Sequence, residues 1–165
     1  MINQAGEYAL RAVVHLARCD GLQPASASDI ADATKVPQAY LQKILRTLTK
    51  QGLLTAQRGM GGGFKLAKLP SAISVLEVLK ACDSGPSRIE RCPLGITGHT
   101  QLCSLHQLID QQTASVESTF ATTSIADLID NQNQIRPLCD PNNNSNIHVS
   151  LSIPKLPNDE DSSGT

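Results

Sequence analysis

The chain has 165 residues, a formal net charge of −1 and 40% apolar residues, with two Phe, two Tyr and no Trp. This length suits one domain with an accessory element, and the core is expected to be aliphatic. No apolar stretch approaches the roughly 20 residues needed to cross a bilayer, and the amino terminus lacks the basic start and apolar run of a signal peptide. We therefore expect a cytoplasmic protein with no membrane partner, whose five cysteines are thiols or ligands rather than disulfides.

Charge is distributed unevenly along the chain. Residues 1–70 contain nine Lys and Arg against four Asp and Glu, whereas residues 71–165 contain five against eleven. A basic first half favours a polyanionic partner, although a solvated surface with uneven charge explains the same numbers about as well.

The first fifty residues predict three helices in close succession. Apolar residues follow helical spacing from Glu7 until Gly21 stops the run, and Ser28 is expected to cap a short second helix. Residues 34–36 make a tight connection into PQAYLQKILRTLTKQG, where Pro37 suits the first turn of a longer helix. This order of elements is typical of a helix-turn-helix.

A glycine-rich hairpin is predicted next. LLTAQ and FKLAK are expected to be short strands on either side of RGMGGG, and SAISVLEVLKAC is expected to form another amphipathic helix. A nucleotide-phosphate loop would need a Lys-Ser/Thr pair and a helix after the glycines, whereas Phe64 and Lys65 open a strand. The glycines are better explained by a hairpin tip that takes positive φ and approaches another surface closely, which is the wing of a winged helix.

The exposed side of the longer helix and the wing are the candidate DNA-binding surfaces. Side chains in the first turns of such a helix enter the major groove, and cations beside a hairpin tip reach phosphates or the minor groove. An ordinary polar helix face is the alternative. The candidate DNA-binding residues are Ser28, Gln38, Ala39, Tyr40, Gln42, Lys43, Arg58, Gly61 and Lys65.

A helix of about twenty residues is predicted towards the end of the folded part, with a long apolar stripe and no second layer beside it in sequence. Such a stripe needs a partner helix, and the simplest one belongs to a second copy of the chain. The candidate dimerisation residues are Leu102, Leu105, Leu108, Ile109, Val116 and Phe120.

The predicted fold class is mainly α with a small β-wing: a winged helix-turn-helix plus a long dimerisation helix. We divide the chain into a DNA-binding domain (1–80), a cysteine-containing sensor loop (81–103), a dimerisation helix with a following short helix (101–132), and a disordered tail (133–165). Since Cys19 and Cys82 follow apolar helical runs, we expect them to be small core residues.

Four segments give a specific family resemblance. GEYALRAVVHLA, SDIADATKVPQAYLQKILRTLTKQGLL, RGMGGGFKLAK and ISVLEVLKA are similar to successive segments of the IscR/NsrR/CymR family of bacterial winged-helix regulators, the Rrf-two family. The resemblance covers roughly residues 1–130, and the wing is its most characteristic element. It implies a homodimer joined through the long helix and bound to a palindromic operator in double-stranded DNA.

The resemblance also implies a sensor site in CPLGITGHTQLCSLH. Family members that bind clusters carry three cysteines just before the long helix, and Cys92 and Cys103 match the outer two, while His99 stands near the place of the middle one. An iron–sulfur cluster, most simply [2Fe–2S], is compatible with mixed Cys/His ligation, and so is a single Zn or Fe ion. The resemblance leaves the fourth ligand open between His106 and Glu7.

The predicted function is therefore that of a DNA-binding transcriptional regulator that senses iron–sulfur, redox or nitric oxide status. Two alternatives remain: a Cys92–Cys103 thiol switch without a metal, or a regulator controlled by a protein partner. An enzyme is not predicted, because no Ser/His/Asp arrangement or paired-carboxylate motif stands out.

Overall fold

The computed structural model describes residues 2–19, 23–92 and 101–130. The winged-helix portion contains helices α1 (Gln4–Arg18), α2 (Ala27–Thr34) and α3 (Gln38–Lys50), strands β1 (Leu54–Gln57) and β2 (Gly63–Leu66), a 3-10 turn (Pro70–Ala72) and helix α4 (Val75–Ala81). Helices α5 (Ser104–Thr122) and α6 (Ile125–Asp130) follow. The predicted tail at 133–165 lies outside the described residues.

The start of α2 differs from the sequence prediction. Ser26, not Ser28, is the N-cap, since its side chain accepts a hydrogen bond from the backbone N–H of Asp29. The hydroxyl of Ser26 also donates to the Asp29 carboxylate at 2.7 Å, so the pair fixes the first turn from both sides. Ser28 is an exposed residue within that turn.

Helix α1 is the centre of the core, and it packs against α2, α3, α4, α6 and β2. Burying a large aliphatic side chain stabilises a fold by roughly 1.5–3 kcal/mol, so this aliphatic set is enough to hold the small helices together. The largest fully buried aliphatic side chains are Leu16, Ile30, Leu41, Leu45, Leu48, Leu54, Ile73, Leu79, Ile125, Val13 and Val78.

The wing is a two-stranded antiparallel hairpin in which Leu54 pairs with Leu66 and Gln57 with Gly63. At its tip, Gly59 and Gly61 take φ of 100° and 75°. A Cβ on Gly63 would overlap the backbone carbonyl of Ala25, because this strand approaches the segment before α2 closely. The predicted positive φ is present at Gly59 and Gly61, whereas the close approach is made by Gly63 at the start of β2 and not by these two tip glycines.

Helix α5 begins two residues later than the predicted stripe, so Leu102 precedes it rather than belonging to it. The chain then returns to the winged-helix portion, where Ser124, just before α6, forms an isolated antiparallel bridge with Ser74 at the start of α4. Lys80 of α4 also pairs with Glu117 of α5 at 2.8 Å. None of the helices in the described ranges is both long and apolar enough to cross a bilayer.

Candidate DNA interface and sensor site

Helix α3 presents a polar surface opposite its buried stripe. Leu41, Ile44, Leu45 and Leu48 face the core, which turns the other side of the helix to solvent. The candidate DNA-binding residues of its first two turns are all exposed: Gln38, Ala39, Tyr40, Gln42 and Lys43. Their amide, methyl and ammonium groups are the types that read base edges or contact phosphates.

An aromatic pair supports the beginning of α3. The rings of Tyr8 and Tyr40 meet edge to face, with centroids 5.7 Å apart and an interplanar angle of 83°. The guanidinium carbon of Arg11 lies 5.7 Å from the centroid of the Tyr8 ring. Tyr40 therefore has a packing role in addition to its exposed edge, which sequence reasoning missed because its partner is 32 positions earlier.

The wing places further polar groups at the surface. Arg58 and Gly61 are exposed, whereas Lys65 is half-buried on β2. Met60 at the tip is fully exposed. Arg58 is exposed and immediately precedes Gly59, the first of the two tip glycines with positive φ. Such a cation is suited to phosphate contacts that do not depend on sequence.

The structure brings three of the candidate ligands together at the start of α5. The Nδ1 atom of His106 lies 3.2 Å from the sulfur of Cys103 and 3.8 Å from the sulfur of Cys92. Cys103 is the N-cap residue of α5, which puts its thiol one turn from the imidazole. Cys92 lies in the segment that follows α4.

These separations are compatible with shared metal ligation. With metal–sulfur and metal–nitrogen bonds of about 2.3 and 2.0 Å, tetrahedral geometry puts sulfur and nitrogen about 3.5 Å apart, between the two observed distances. Within residues 2–19, 23–92 and 101–130, no group of three or more His, Cys, Asp or Glu side chains, Cys92, Cys103 and His106 included, is placed so that it could hold a metal ion. Thiols and an imidazole are the donor types that bind iron–sulfur clusters and zinc, and His99 lies outside the described residues.

Glu7 occupies a different part of the molecule. Its carboxylate pairs with Arg11 one turn along α1, and its side chain is exposed. Arg11 also donates to the carbonyl of Thr34 at the end of α2, at 3.4 Å. Within the part of the chain that the structure describes, no hydrogen bond or ion pair joins Glu7 to Cys92, Cys103 or His106.

A carboxylate that sequence reasoning missed lies on α5, one turn after His106. Asp110 accepts hydrogen bonds from the Arg88 guanidinium at 2.7 and 2.6 Å and from the backbone N–H of Ile89 at 2.9 Å. The hydrogen bonds from Arg88 and then Ile89 lower the pKa of Asp110 to about 2. Because Arg88 and Asp110 are 22 residues apart, no local sequence pattern predicts that they pair.

Of the two cysteines predicted to be small core residues, Cys82 packs against the core and Cys19 does not. Cys19 is exposed, because α1 ends at Arg18, and its sulfur lies 3.8 Å from Nε2 of His15. Cys82 is half-buried, and this burial raises the pKa of its thiol. Cys139 lies outside the described residues.

The apolar stripe of α5 is exposed in the single chain. No residue of this helix is buried. Leu105 is 63%, Leu108 55%, Ile109 42% and Val116 39% exposed, while Phe120 is half-buried. Four large aliphatic side chains on one helix form an apolar surface of the kind that mediates association.

Comparisons with known proteins agree with this architecture. The chain is 27% identical to the HTH-type transcriptional regulator NsrR of Bacillus licheniformis over 135 residues, which cover 80% of this chain and 94% of the relative. The structure of CymR, the global cysteine regulator of B. subtilis, matches with a TM-score of 0.67 and 24% identity over 78% of this chain and 95% of that one. T. potens IscR matches with a TM-score of 0.64 and 23% identity over 78% and 85%.

The two structural matches confirm the predicted fold, a mainly helical winged helix-turn-helix with a two-stranded wing. At these identities they bear on the fold alone. A family model described as "Iron-dependent Transcriptional regulator" matches residues 2–131. The chain therefore belongs to the Rrf2 family of transcriptional regulators.

Proposed function

We propose that this regulator is a cytoplasmic homodimer that binds a palindromic operator and senses iron–sulfur or redox status through Cys92, Cys103 and His106. The observation that carries the sensing role is the convergence of both thiols on one imidazole nitrogen at the start of α5. A change at this point acts directly on the helix whose apolar stripe is proposed to join the subunits.

The DNA-binding part of the proposal rests on the exposed first turns of α3 and on the wing. Gln42 and Lys43 would contact base edges in the major groove, while Arg58 would hold the neighbouring phosphates. Two such surfaces in a two-fold dimer require half-sites about one helical turn apart. A small rotation between subunits would then weaken binding at both half-sites together.

For the sensor, the leading candidate is an iron–sulfur cluster, with [2Fe–2S] preferred and a single Zn or Fe ion as the alternative. Cys92, Cys103 and His106 would hold it, and His99 or Glu7 of a second subunit would complete the ligand set. When bound, such a cluster supplies a redox-active group. The protein's own contribution is to present two thiols and an imidazole from two segments that meet at one end of α5.

A thiol switch is the second candidate, supported by the same observation, since two cysteines approach one side chain. Oxidation by a peroxide would join the two sulfurs, releasing two protons and two electrons to form water from the peroxide. Control by a protein partner is a further alternative, for which the acidic second half of the chain would provide the contact surface.

Anaerobic purification distinguishes the cluster, the thiol switch and control by a protein partner. Iron, acid-labile sulfide and zinc are assayed beside a visible spectrum, and operator affinity is measured by fluorescence anisotropy before and after exposure to air or peroxide. We expect bound iron and sulfide with visible absorption, and an affinity that changes when the cluster is lost. Cys103→Ser should abolish both effects, whereas Cys19→Ser, which removes another exposed thiol beside a histidine, should change neither.

A metal-free protein whose affinity still responds to peroxide would instead support the thiol switch. If the reconstituted protein holds neither iron nor zinc, and peroxide also leaves its affinity unchanged, then Cys92, Cys103 and His106 are not the sensor. A colourless dimer that binds DNA only with an added protein would favour control by a partner.

A further inference from the structure

The chain segment that carries Cys92 is fastened to α5 by one carboxylate. Asp110 receives Nε and Nη2 of Arg88 on separate oxygens, at 2.7 and 2.6 Å, which is the bidentate geometry preferred by guanidinium–carboxylate pairs. The same carboxylate accepts the backbone N–H of Ile89 at 2.9 Å. A backbone group is thus bound as well as a side chain, and this restrains the path of the segment.

The position of this clamp relative to the sensor follows from helical geometry. Asp110 comes four residues after His106, so both side chains lie on the same face of α5, one turn apart. On the other segment, Ile89 precedes Cys92 by three residues, which span about 10 Å at full extension. The clamp therefore limits how far Cys92 can move from the imidazole.

We propose that Asp110 is a positioning residue that holds the Cys92 thiol against His106 through its hydrogen bonds to Arg88 and Ile89. The importance of this placement for sensing rests on the proposed function. The placement of the thiol can be tested by itself.

The exposure of the pair supports this role. The Asp110 side chain is only 15% exposed, whereas that of Arg88 is 47% exposed. A single exposed ion pair contributes little, but three hydrogen bonds to one shielded carboxylate specify an orientation. Without these hydrogen bonds, the segment that carries Cys92 would have to be ordered each time a metal or cluster binds. The free energy of that ordering would weaken the affinity.

Helix α5 offers a matched control. Glu117, seven residues after Asp110 and so two turns further along the helix, pairs with Lys80 of α4 at 2.8 Å. Glu117→Gln removes an ion pair of similar exposure from the same helix and leaves the hydrogen bonds of Asp110 to Arg88 and Ile89 in place. The test compares Asp110→Asn, Arg88→Gln and their double variant with Glu117→Gln in the full-length protein.

The first measurement needs no metal. The rates at which iodoacetamide alkylates Cys92 and Cys103 are followed by mass spectrometry in the reduced protein. We expect Asp110→Asn to speed alkylation of Cys92 severalfold and to leave Cys103 unchanged, because Cys103 is fixed by α5 itself. Arg88→Gln should have a smaller effect, since Ile89 keeps a charged acceptor that Asp110→Asn replaces by a neutral amide, and the double variant should match Asp110→Asn.

The second measurement uses Co²⁺ as a probe of the ligand set. We expect Asp110→Asn to weaken Co²⁺ binding about tenfold, the usual loss when the support of a ligand is removed, with a weaker thiolate-to-cobalt absorption band. Glu117→Gln should behave like wild type in both measurements. Thermal melting of every variant, followed by circular dichroism, distinguishes displacement of the Cys92 thiol from unfolding of the protein.

The outcomes distinguish the two proposals. If alkylation of Cys92 is unchanged in folded Asp110→Asn, or rises equally in Glu117→Gln, the positioning role is wrong, whatever the sensor does. If Cys92 is released in Asp110→Asn while Cys92→Ser leaves metal content and operator response unaffected, the positioning stands and the proposed sensor fails. A global loss of helix in Asp110→Asn would also overturn the positioning role, because Asp110 would then support the fold.

Discussion

Ile125 donates its backbone N–H to the carbonyl of Ile73 at 2.8 Å, and both side chains are fully buried. This bond joins the first residue of α6 to the segment before α4. Because only Thr123 and Ser124 separate α5 from α6, the carboxyl end of α5 is held against the winged-helix core. A dimer formed through α5 would therefore fix the distance between the two α3 helices instead of leaving them on a flexible linker.

The first prediction concerns this dimer. Leu108→Glu should convert the protein to monomers or make it insoluble, because a charge buried in an apolar interface has no partner. Leu108 is 55% exposed in the single chain, so the fold itself should tolerate the change. Sedimentation velocity at micromolar concentration gives the assembly state.

Leu69→Glu is the matched control. Leu69 is 73% exposed in the loop after β2 and lies outside the stripe of α5. This variant should remain dimeric. A wild-type protein that sediments as a monomer, or equal dissociation in both variants, would contradict association through α5.

Local patterns were sufficient to predict the order of elements. The apolar spacing of α3 and the glycine tip between β1 and β2 are signals contained within about fifteen residues each, and both describe the observed structure. The N-cap of α2 had a local signal too. Ser26 is followed by Asp29 three residues later, a capping arrangement that Ser28 lacks.

Contacts between distant segments could not be predicted in this way. The clamp between Arg88 and Asp110 depends on how α5 returns across the segment after α4, and no periodicity encodes that path. The exposure of Cys19 depends on α1 ending at Arg18, before the Gly21 that was expected to stop the run. Of the proposed ligands, Cys92, Cys103 and His106 meet, and the positions of His99 and of a partner's Glu7 remain predictions.

The second prediction concerns DNA. Gln42→Ala or Lys43→Ala should weaken operator binding by about 1–3 kcal/mol for each lost base contact and reduce discrimination against altered operators. Arg58→Ala should weaken all sequences more evenly and flatten the dependence of affinity on salt. Fluorescence anisotropy at several salt concentrations separates the two effects.

Lys50→Ala is the control for these variants, because Lys50 is an exposed cation in the last turn of the same helix. It should change affinity much less than Lys43→Ala does. Equal losses in the two variants would mean that general charge, rather than docking of the first turns of α3, determines binding.

The third prediction compares His106 with Glu7, the two residues that the family resemblance leaves open as a ligand. His106→Ala should reduce iron or zinc retention strongly, since its Nδ1 contacts both thiols. Glu7→Gln should change retention less, because Glu7 pairs with Arg11 in its own subunit. Metal content after anaerobic reconstitution is the measurement, and the reverse ranking would assign the ligand to Glu7.

His99→Cys extends the same test. It would create the three-cysteine pattern of cluster-binding relatives and should strengthen cluster retention if His99 is already a ligand. A variant that stays as empty as a metal-free wild type would leave the thiol switch as the hypothesis to test.

The fourth prediction concerns the packing of α1 against α4. A Cβ at Gly6 would lie 2.6 Å from Cβ of Ser84 and 2.9 Å from Cδ2 of Leu79. Alanine favours a helix by about 1 kcal/mol over glycine, but overpacking of a tight contact costs about 1–3 kcal/mol. Because Cβ of Ser84 cannot rotate away, we expect Gly6→Ala to lower the free energy of unfolding measured with urea.

Gly85→Ala serves as its control, since a Cβ there would meet only Leu79 at an ordinary 3.8 Å. This variant should be as stable as wild type or more so. An unchanged free energy of unfolding in Gly6→Ala would show that α1 and α4 can move slightly apart without destabilising the fold.

The last prediction is a pH dependence that arises at His15. Burial of the imidazole and then repulsion from Arg18 lower its pKa from the ordinary value of 6.5, and attraction to Asp29 offsets this only in part. As the pH falls through 6.5, the unfolded chain therefore takes up a proton before the native protein does, and stability is lost. Urea unfolding at pH 7.5 and 5.5, at one protein concentration, should show a smaller decrease for His15→Gln than for wild type. Carboxylates that titrate below this range contribute equally to both proteins, so the difference between them isolates His15. An identical decrease in wild type and variant would mean that the native imidazole accepts its proton as readily as the unfolded one.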